Sequence, residues 1–316
     1  MRAKNALRIA VGNYALVFKN LLYKAIVFVL FSIITGLVLN FTLKPFFEVA
    51  RPFIKDFFDI LISLFSGADY SAKTVSLQTN FQAIKDFFVS HAGGIVATVI
   101  IVVVLVFLYK FLTGISDGTL MILVEGHMTG LSHRSFISVM IENLGKILIY
   151  QLIDTLCSFV CVILVCVICW LVDLILFSTS PLISVFVTVA VILSAISVYQ
   201  TFFSQVMANI LIGETKSVKK AFIEGIRPKK GYFSKMFAGY LTVTIVLMYL
   251  HASVTVFTLG VGELLLIPFA SLMLVTMKLV DYFTINKKKY FIDYDNIVIP
   301  KELRENDEEL LNKVEI

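Results

Sequence analysis

An ionisable side chain inside an apolar run is the feature most in need of a reason, because hydrocarbon penalises charge and such residues face bundle interiors. Asp154 is the clearest case in this chain. On a helix, Gln151, Asp154, Thr155 and Ser158 share one arc, with Cys169 and Asp173 further along it. A second stripe recurs at helical spacing: Ser194, Ser197, Thr201, Ser204, Gln205 and Asn209, with Ala190 and Ala208 on the same side. Two polar, small-residue faces belong against each other or in a bundle interior. One chemistry they could support is a hydrated path or substrate site, with Asp154 as cation or proton ligand. The other is helix-to-helix hydrogen bonding, worth about 0.6 kcal/mol per bond on average. The candidate polar site inside the apolar segments is therefore Gln151, Asp154, Thr155 and Ser158 with Ser197, Thr201, Gln205 and Asn209.

Other chemistry-bearing residues point nowhere as specific. Lys110, Thr113 and Asp117 share one helical face, but Lys110 and Asp117 are too far apart along it to touch, so each needs a partner elsewhere. His251 stands alone in an apolar run, where hydrogen bonding to a neighbouring helix is the simpler expectation. Glu125 and His127 are two residues apart and point to opposite sides of a helix; with His133 and Asp117 nearby they still fall short of a metal site. All four cysteines lie between Cys157 and Cys169. Cys166 and Cys169 match C-x-x-C, yet no second ligand pair accompanies them, and small apolar packing accounts for them. No H-E-x-x-H, P-loop, G-x-S-x-G or G-x-G-x-x-G signature is present. A non-enzymatic protein without metal or cofactor is expected.

The elements that must position these residues follow from composition. Of 316 residues, 59% are hydrophobic and 16% charged, and the mean hydropathy is +0.92. Soluble domains run nearer 45–50% apolar and about 25% charged. That excludes a disordered chain, a disulfide scaffold and a nucleic-acid reader, and leaves an integral membrane protein. Runs of about 20 apolar residues can cross the hydrocarbon core. Six are found, at about 25–43, 94–112, 147–171, 182–205, 236–259 and 264–283. The turn residues Ser178, Thr179, Ser180 and Pro181 separate the third from the fourth, and Gly260 to Glu263 separate the fifth from the sixth. Barrel strands would be shorter and would alternate, so the expectation is helices.

Lysine and arginine set the orientation. Of the 27, 22 fall in the end segments 1–24 and 278–316 and the connections 110–146 and 214–235; the other five lie in 44–92. Both termini are therefore expected in the cytoplasm, and the net charge of +5 is a topology signal. The first apolar run, nineteen residues long, exceeds a signal-peptide core and no small-residue cleavage site follows it. It is expected to remain in the mature protein. Lysine outnumbers arginine 21 to 6, in keeping with an AT-rich bacterial genome.

The spans read as three hairpins, each preceded by a similar segment: Lys4-Asn5-Ala6-Leu7, His133-Arg134-Ser135-Phe136 and Lys219-Lys220-Ala221-Phe222. A large apolar residue follows four positions after the last residue of each, and another seven positions further on: Val11 and Phe18, Met140 and Ile147, Ile226 and Phe233. Thr129 to Ile137 and Thr215 to Ile223 share three of nine identities. These segments are amphipathic enough to lie on the inner leaflet. The expected fold is an all-α polytopic bundle of six spans in three parallel hairpin repeats with interfacial helices. Residues 1–286 would form one transmembrane domain and 287–316 a charged cytoplasmic tail. Residues 44–92 are the one large outer region. There Phe46, Phe47, Phe53, Ile54, Phe57, Phe58 and Leu61 share a helical arc opposite Glu48, Arg51, Lys55, Asp56 and Asp59. A turn-rich stretch over 67–80 and a short helix over 81–89 should follow.

Two functions fit. One is a permease-like or transport-accessory protein of the bacterial cell membrane that uses the polar interior. The other is a structural or regulatory membrane protein that meets anionic lipids or partner proteins through Lys216, Lys219, Lys220, Arg227, Lys229 and Lys230.

Overall fold

The computed structural model describes residues 2–66, 71–130, 134–176, 180–213, 217–227, 231–293 and 296–300, leaving aside the side chains at 41–43, 64, 65 and 72. Its helices are α1 (Arg2–Gly12), α2 (Ala15–Ser66), α3 (Ser71–Ser90), α4 (Ala92–Met128), α5 (Phe136–Glu142), α6 (Leu144–Leu176), α7 (Pro181–Leu211), α8 (Val218–Ile226), α9 (Phe233–Thr258) and α10 (Glu263–Ile285). Among the described residues the strands are β1 (Tyr290–Phe291) and β2 (Ile297–Val298). They are antiparallel, with Tyr290 opposite Val298 and Phe291 opposite Ile297.

Six helical segments are long and apolar enough to cross a membrane: Ala15–Asn40, Ala92–Met128, Leu144–Leu176, Pro181–Leu211, Phe233–Thr258 and Glu263–Ile285. They coincide with the six expected spans, and this supports a multi-pass membrane protein. Most run past the expected ends because a helix continues into its polar flanks, whereas an apolar run marks only the part suited to hydrocarbon.

The chain divides into two compact units, 1–25 with 110–316, and 26–109. In the first unit, α10 and α7 are the central elements. The second half of α10 is buried almost continuously from Leu272 to Phe283. Helices α1, α7 and α9 pack on α10, while α6, α8 and α9 pack on α7. Short α1 lays Ala6, Ile9 and Ala10 against this core and leaves Lys4, Leu7 and Arg8 exposed. Local chemistry sets several boundaries. The Ser180 hydroxyl accepts from the Ile183 amide and Pro181 opens α7, a favoured first-turn pair. Ser217 caps α8 in the same way through Lys220 N–H. Between α9 and α10, Leu259 and Gly260 have φ of 50° and 86°, and Gly260 N–H donates to Thr255 O at 2.9 Å. This left-handed stop closes α9 where the glycines forecast a turn.

Glycines also let helices approach. A Cβ on Gly114 would fall 2.0 Å from Gln151 Oε1, and one on Gly118 would lie 2.9 Å from Ile147. Gly114 and Gly118 thus form a small-x-x-x-small contact of α4 with α6. Gly225 of α8 brings its backbone against Val206 of α7, where a Cβ would meet main chain at 2.7 Å.

Past α10, Lys287, Lys288 and Lys289 are exposed, and the chain then returns to the core at Tyr290. Tyr290 is buried, accepts from Asn5 Nδ2 at 3.0 Å, and its phenol is pushed above its ordinary pKa by that burial. The strands are a small departure from an all-α chain; residues 301–316 lie outside the described residues.

In the second unit, α2 runs unbroken through Pro45 and Pro52, so the expected amphipathic outer helix is a continuation of the first span's helix. Phe46 meets Phe87 and Phe88 of α3 at 5.9 and 5.6 Å, and Phe53 meets Phe81 at 6.1 Å, between ring centroids. Asp56 accepts from Ser76 at 2.5 Å and Asn80 at 2.8 Å. Phe47, Ile54, Phe57 and Phe58 remain exposed, so only part of the apolar arc is covered. Ser71–Ser90 is one helix, where a turn-rich stretch and a shorter helix were expected. Thr74, Thr79 and Ser90 donate to carbonyls three or four residues back, to Ser71 O, Val75 O and Asp86 O. Gly67 and the three residues after it lie outside the described residues, as do the turn residues Ser178 and Thr179.

Candidate functional site

Asp154 sits ten residues into α6, about 15 Å along the helix at 1.5 Å per residue. Its Oδ1 accepts from the Tyr199 hydroxyl of α7 at 2.8 Å and from the Tyr150 hydroxyl at 3.3 Å. The Tyr199 hydroxyl also lies 3.0 Å from Asp154 O. Oδ2 is 3.5 Å from Lys110 Nζ of α4. Lys110 in turn donates to the Ser158 hydroxyl and stands 5.9 Å from the Tyr199 ring centroid. Three helices therefore meet at one ion pair.

Asp117, expected to need a partner beyond Lys110, has one in Lys24 of α2 at 2.9 Å. Lys24 also donates to Ser271 of α10 at 2.5 Å. Lys278, on the same helix, is buried and makes no ion pair among the described residues; its Nζ lies 3.9 Å from Met207 Sδ. A third pair, Arg2 with Asp281 at 3.2 Å, fastens α1 to α10, and the Asp281 side chain is fully buried. Lys24 thus pairs with Asp117 and Lys110 with Asp154, and Lys278 adds a third ammonium group, itself buried, to the same helical unit.

The α6 stripe meets two neighbours: Gln151 and Ser158 bond to Gly114 and Lys110 of α4, while Asp154 bonds to Tyr199 of α7. Gln151, Thr155, Ser158, Ser197, Thr201 and Ser204 are buried; Ser194 is exposed. Most hydroxyl protons are spent within their own helix: Ser158 on Thr155 O, Ser197 on Leu193 O, Thr201 on Ser197 O and Ser204 on Thr201 O. The expected cross-helix hydroxyl bonds are therefore largely replaced by self-capping. The longer side chains make the interhelical bonds. Gln151 Nε2 donates to Gly114 O at 2.6 Å, and Asn209 Nδ2 to Ala221 O at 3.3 Å.

The lower part of the α7 stripe opens elsewhere. Thr201, Gln205 and Asn209 line a cavity of about 360 Å3 together with Phe202, α8 residues Glu224 to Ile226, Arg227, and the adjoining ends of α9 and α10. Gln205 Nε2 is buried with no hydrogen-bond partner among the described residues. Lys219 and Lys220 are exposed on α8, with Lys220 4.0 Å from Glu224. Lys216, Lys229 and Lys230 lie outside the described residues, as does His133.

The remaining sequence candidates separate. His251 Nδ1 is 2.5 Å from Glu263 Oε2, and Thr255 donates to Glu263 Oε1 at 2.8 Å, which ties α9 to α10. His127 hydrogen-bonds Asn13, and Glu125 is half-buried on the same helix. The four cysteines are unpaired. Among the described residues no group of three His, Cys, Asp or Glu side chains is placed to hold a metal.

Sequence reasoning missed Lys24, Lys278, Tyr199 and the Gly114–Gly118 contact. Lys24 and Lys278 were read as flanking charges, although Lys278 stands between Met277 and Leu279 in an otherwise apolar run. The G-x-x-x-G spacing was there to be found. No family model, curated protein or solved structure matches this chain.

Proposed function

We propose that this multi-pass membrane protein is permease-like or transport-accessory, without enzymatic activity, in a bacterial cell membrane with both termini cytoplasmic. The observation that carries this is the charged cluster Lys110–Asp154–Tyr199 with Lys278 and the Lys24–Asp117 pair, all on helices apolar enough to span a bilayer. Breaking a pair and stranding a charge in a low-dielectric interior costs about 3–5 kcal/mol. Packing alone is served as well by uncharged residues, so retained charge favours an ion- or solute-handling role. In this role Asp154 holds a cation or proton and Lys110 is its alternative partner. The test is uptake, screened with labelled ions, amino acids, sugars and phosphate esters in cells with and without the protein. Asp154→Asn and Thr201→Leu should each impair uptake of the dependent solute. If no solute depends on the protein, or both variants take it up normally, transport is excluded.

A second role, in which basic segments meet anionic lipid or a partner protein, is favoured by α8. Its Ala221 and Gly225 pack inward while Lys219 and Lys220 are exposed. Charge reversal of Lys219 and Lys220 with topology preserved should then reduce that association.

A further inference from the structure

The cavity at one end of the bundle has a donor set that neither the charged cluster nor the exposed lysines use. Its polar wall is the last turns of α7, through Thr201, Gln205 and Asn209, and its rim is Glu224 and Arg227. Phe202 and Phe233, 5.3 Å apart between centroids, form an apolar wall. Gln205 lines the cavity, and its Nε2, a two-proton donor, is buried without a hydrogen-bond partner among the described residues, so a turn of this side chain toward the cavity would offer the donor to a ligand. Arg227 makes no ion pair among the described residues; Glu224, the one carboxylate on the rim, has Lys220 4.0 Å away. An adjoining cleft shares Glu224 and Arg227 and adds Lys219, Lys220 and Ser217. Among the described residues, cations outnumber the carboxylate around the opening.

We propose that this cavity binds a phosphate ester of a polyol. Phosphate oxygens accept only, which matches the guanidinium fork of Arg227 and, once the side chain turns toward the ligand, the amide N–H groups of Gln205. The Thr201 oxygen and the amide oxygen of Gln205 are left to accept from the ester's hydroxyl groups. Arg227 meets the phosphate at the rim, and the aromatic wall lies beside the polyol or, for a lipid, the start of its chains. The same chemistry is offered by a phosphatidylglycerol headgroup and by free glycerol 3-phosphate. This deepens the second role above, replacing a contact on exposed lysines with an enclosed site.

The test uses the full-length protein in detergent and in nanodiscs. Thermal stabilisation is measured with inorganic phosphate, glycerol 3-phosphate, and succinate at matched ionic strength. Retained lipid is measured by native mass spectrometry after incorporation in phosphatidylcholine with or without phosphatidylglycerol. Arg227→Gln and Gln205→Leu should each weaken binding by about tenfold or more; Lys219→Gln combined with Lys220→Gln should change it by less than about threefold. Gln205→Glu keeps the shape and sets a negative charge against the phosphate, so it should abolish binding even if Gln205→Leu proves unstable. Binding of the soluble ester as tight as that of the lipid assigns a solute site, and binding of the lipid alone assigns a headgroup site. The proposal is overturned if neither phosphate source binds, if succinate binds as well, or if the Arg227 and Gln205 variants bind like wild type. Loss of binding in the double lysine variant alone would leave the surface-charge role standing and remove the cavity.

Discussion

At the residue scale, Asp154 is held by three donors from three helices, and each contact tests whether charge or shape matters there. Lys110→Met leaves the Asp154 carboxylate with only the two tyrosine hydroxyls, while Asp154→Asn leaves Lys110 with Ser158. Each single variant should lower stability in detergent, and the double variant should lose less than the sum. The expected coupling is about 0.5–3 kcal/mol, the range for residues in contact; thermal unfolding of the four proteins of the cycle measures it. Additive losses would mean the pair is incidental. Asp154 was legible in sequence because it interrupts an apolar run at a helical register with other polar residues. That Lys110 and Asp117 need separate partners was legible too, since two turns of one helix keep them apart. Their partners were not. Lys24 stands at the edge of an apolar segment, where orientation already accounts for a cation, and only the packing of α2 beside α4 reveals that it faces Asp117.

At the element scale, glycine spacing decides which helices touch. Gly118→Val would drive a branched side chain into Ile147, and overpacking of this kind costs about 1–3 kcal/mol. The prediction is a lower unfolding temperature in detergent, whereas Gly126→Val, at a position with open space around it, should leave it unchanged or slightly raised, because valine is the better helix former. Equal effects would show that α4 and α6 do not depend on close approach. Helix existence was readable from apolar length, but helix extent was not. Pro45 and Pro52 signal breaks in water, yet α2 passes through both, as helices with locally rearranged hydrogen bonds can. Ser71 to Asn80 has turn composition but folds as helix because its hydroxyls turn back onto the same helix and Asp56 accepts from Ser76 and Asn80. Such a long-range partner leaves no local trace.

At the scale of the whole molecule, six long apolar helices carry exposed apolar surface. Val160, Ile163, Trp170 and Leu174 of α6 and Leu182 and Phe186 of α7 are exposed on the structure, and a membrane is the environment that would cover them. The uneven distribution of lysine and arginine predicts sidedness: reporters fused after Gly67 should read outside, and those after Gly130 or Ile316 inside. Any reversal overturns the orientation. The class of molecule and its number of spans were open to reading from composition, since apolar runs of this length have few other uses. The division of the polar stripes between an ion pair and a cavity was not, because it depends on where α4 and α8 dock against α6 and α7. Whether the interior charge works or merely packs is decided most directly by uptake of the dependent solute in cells carrying Asp154→Asn or Asp154→Glu at matched membrane abundance and unfolding temperature. Uptake reduced about tenfold or more in Asp154→Asn and largely kept in Asp154→Glu is the result expected of a carboxylate that handles cations or protons. Normal uptake and growth with Asp154→Asn would contradict it.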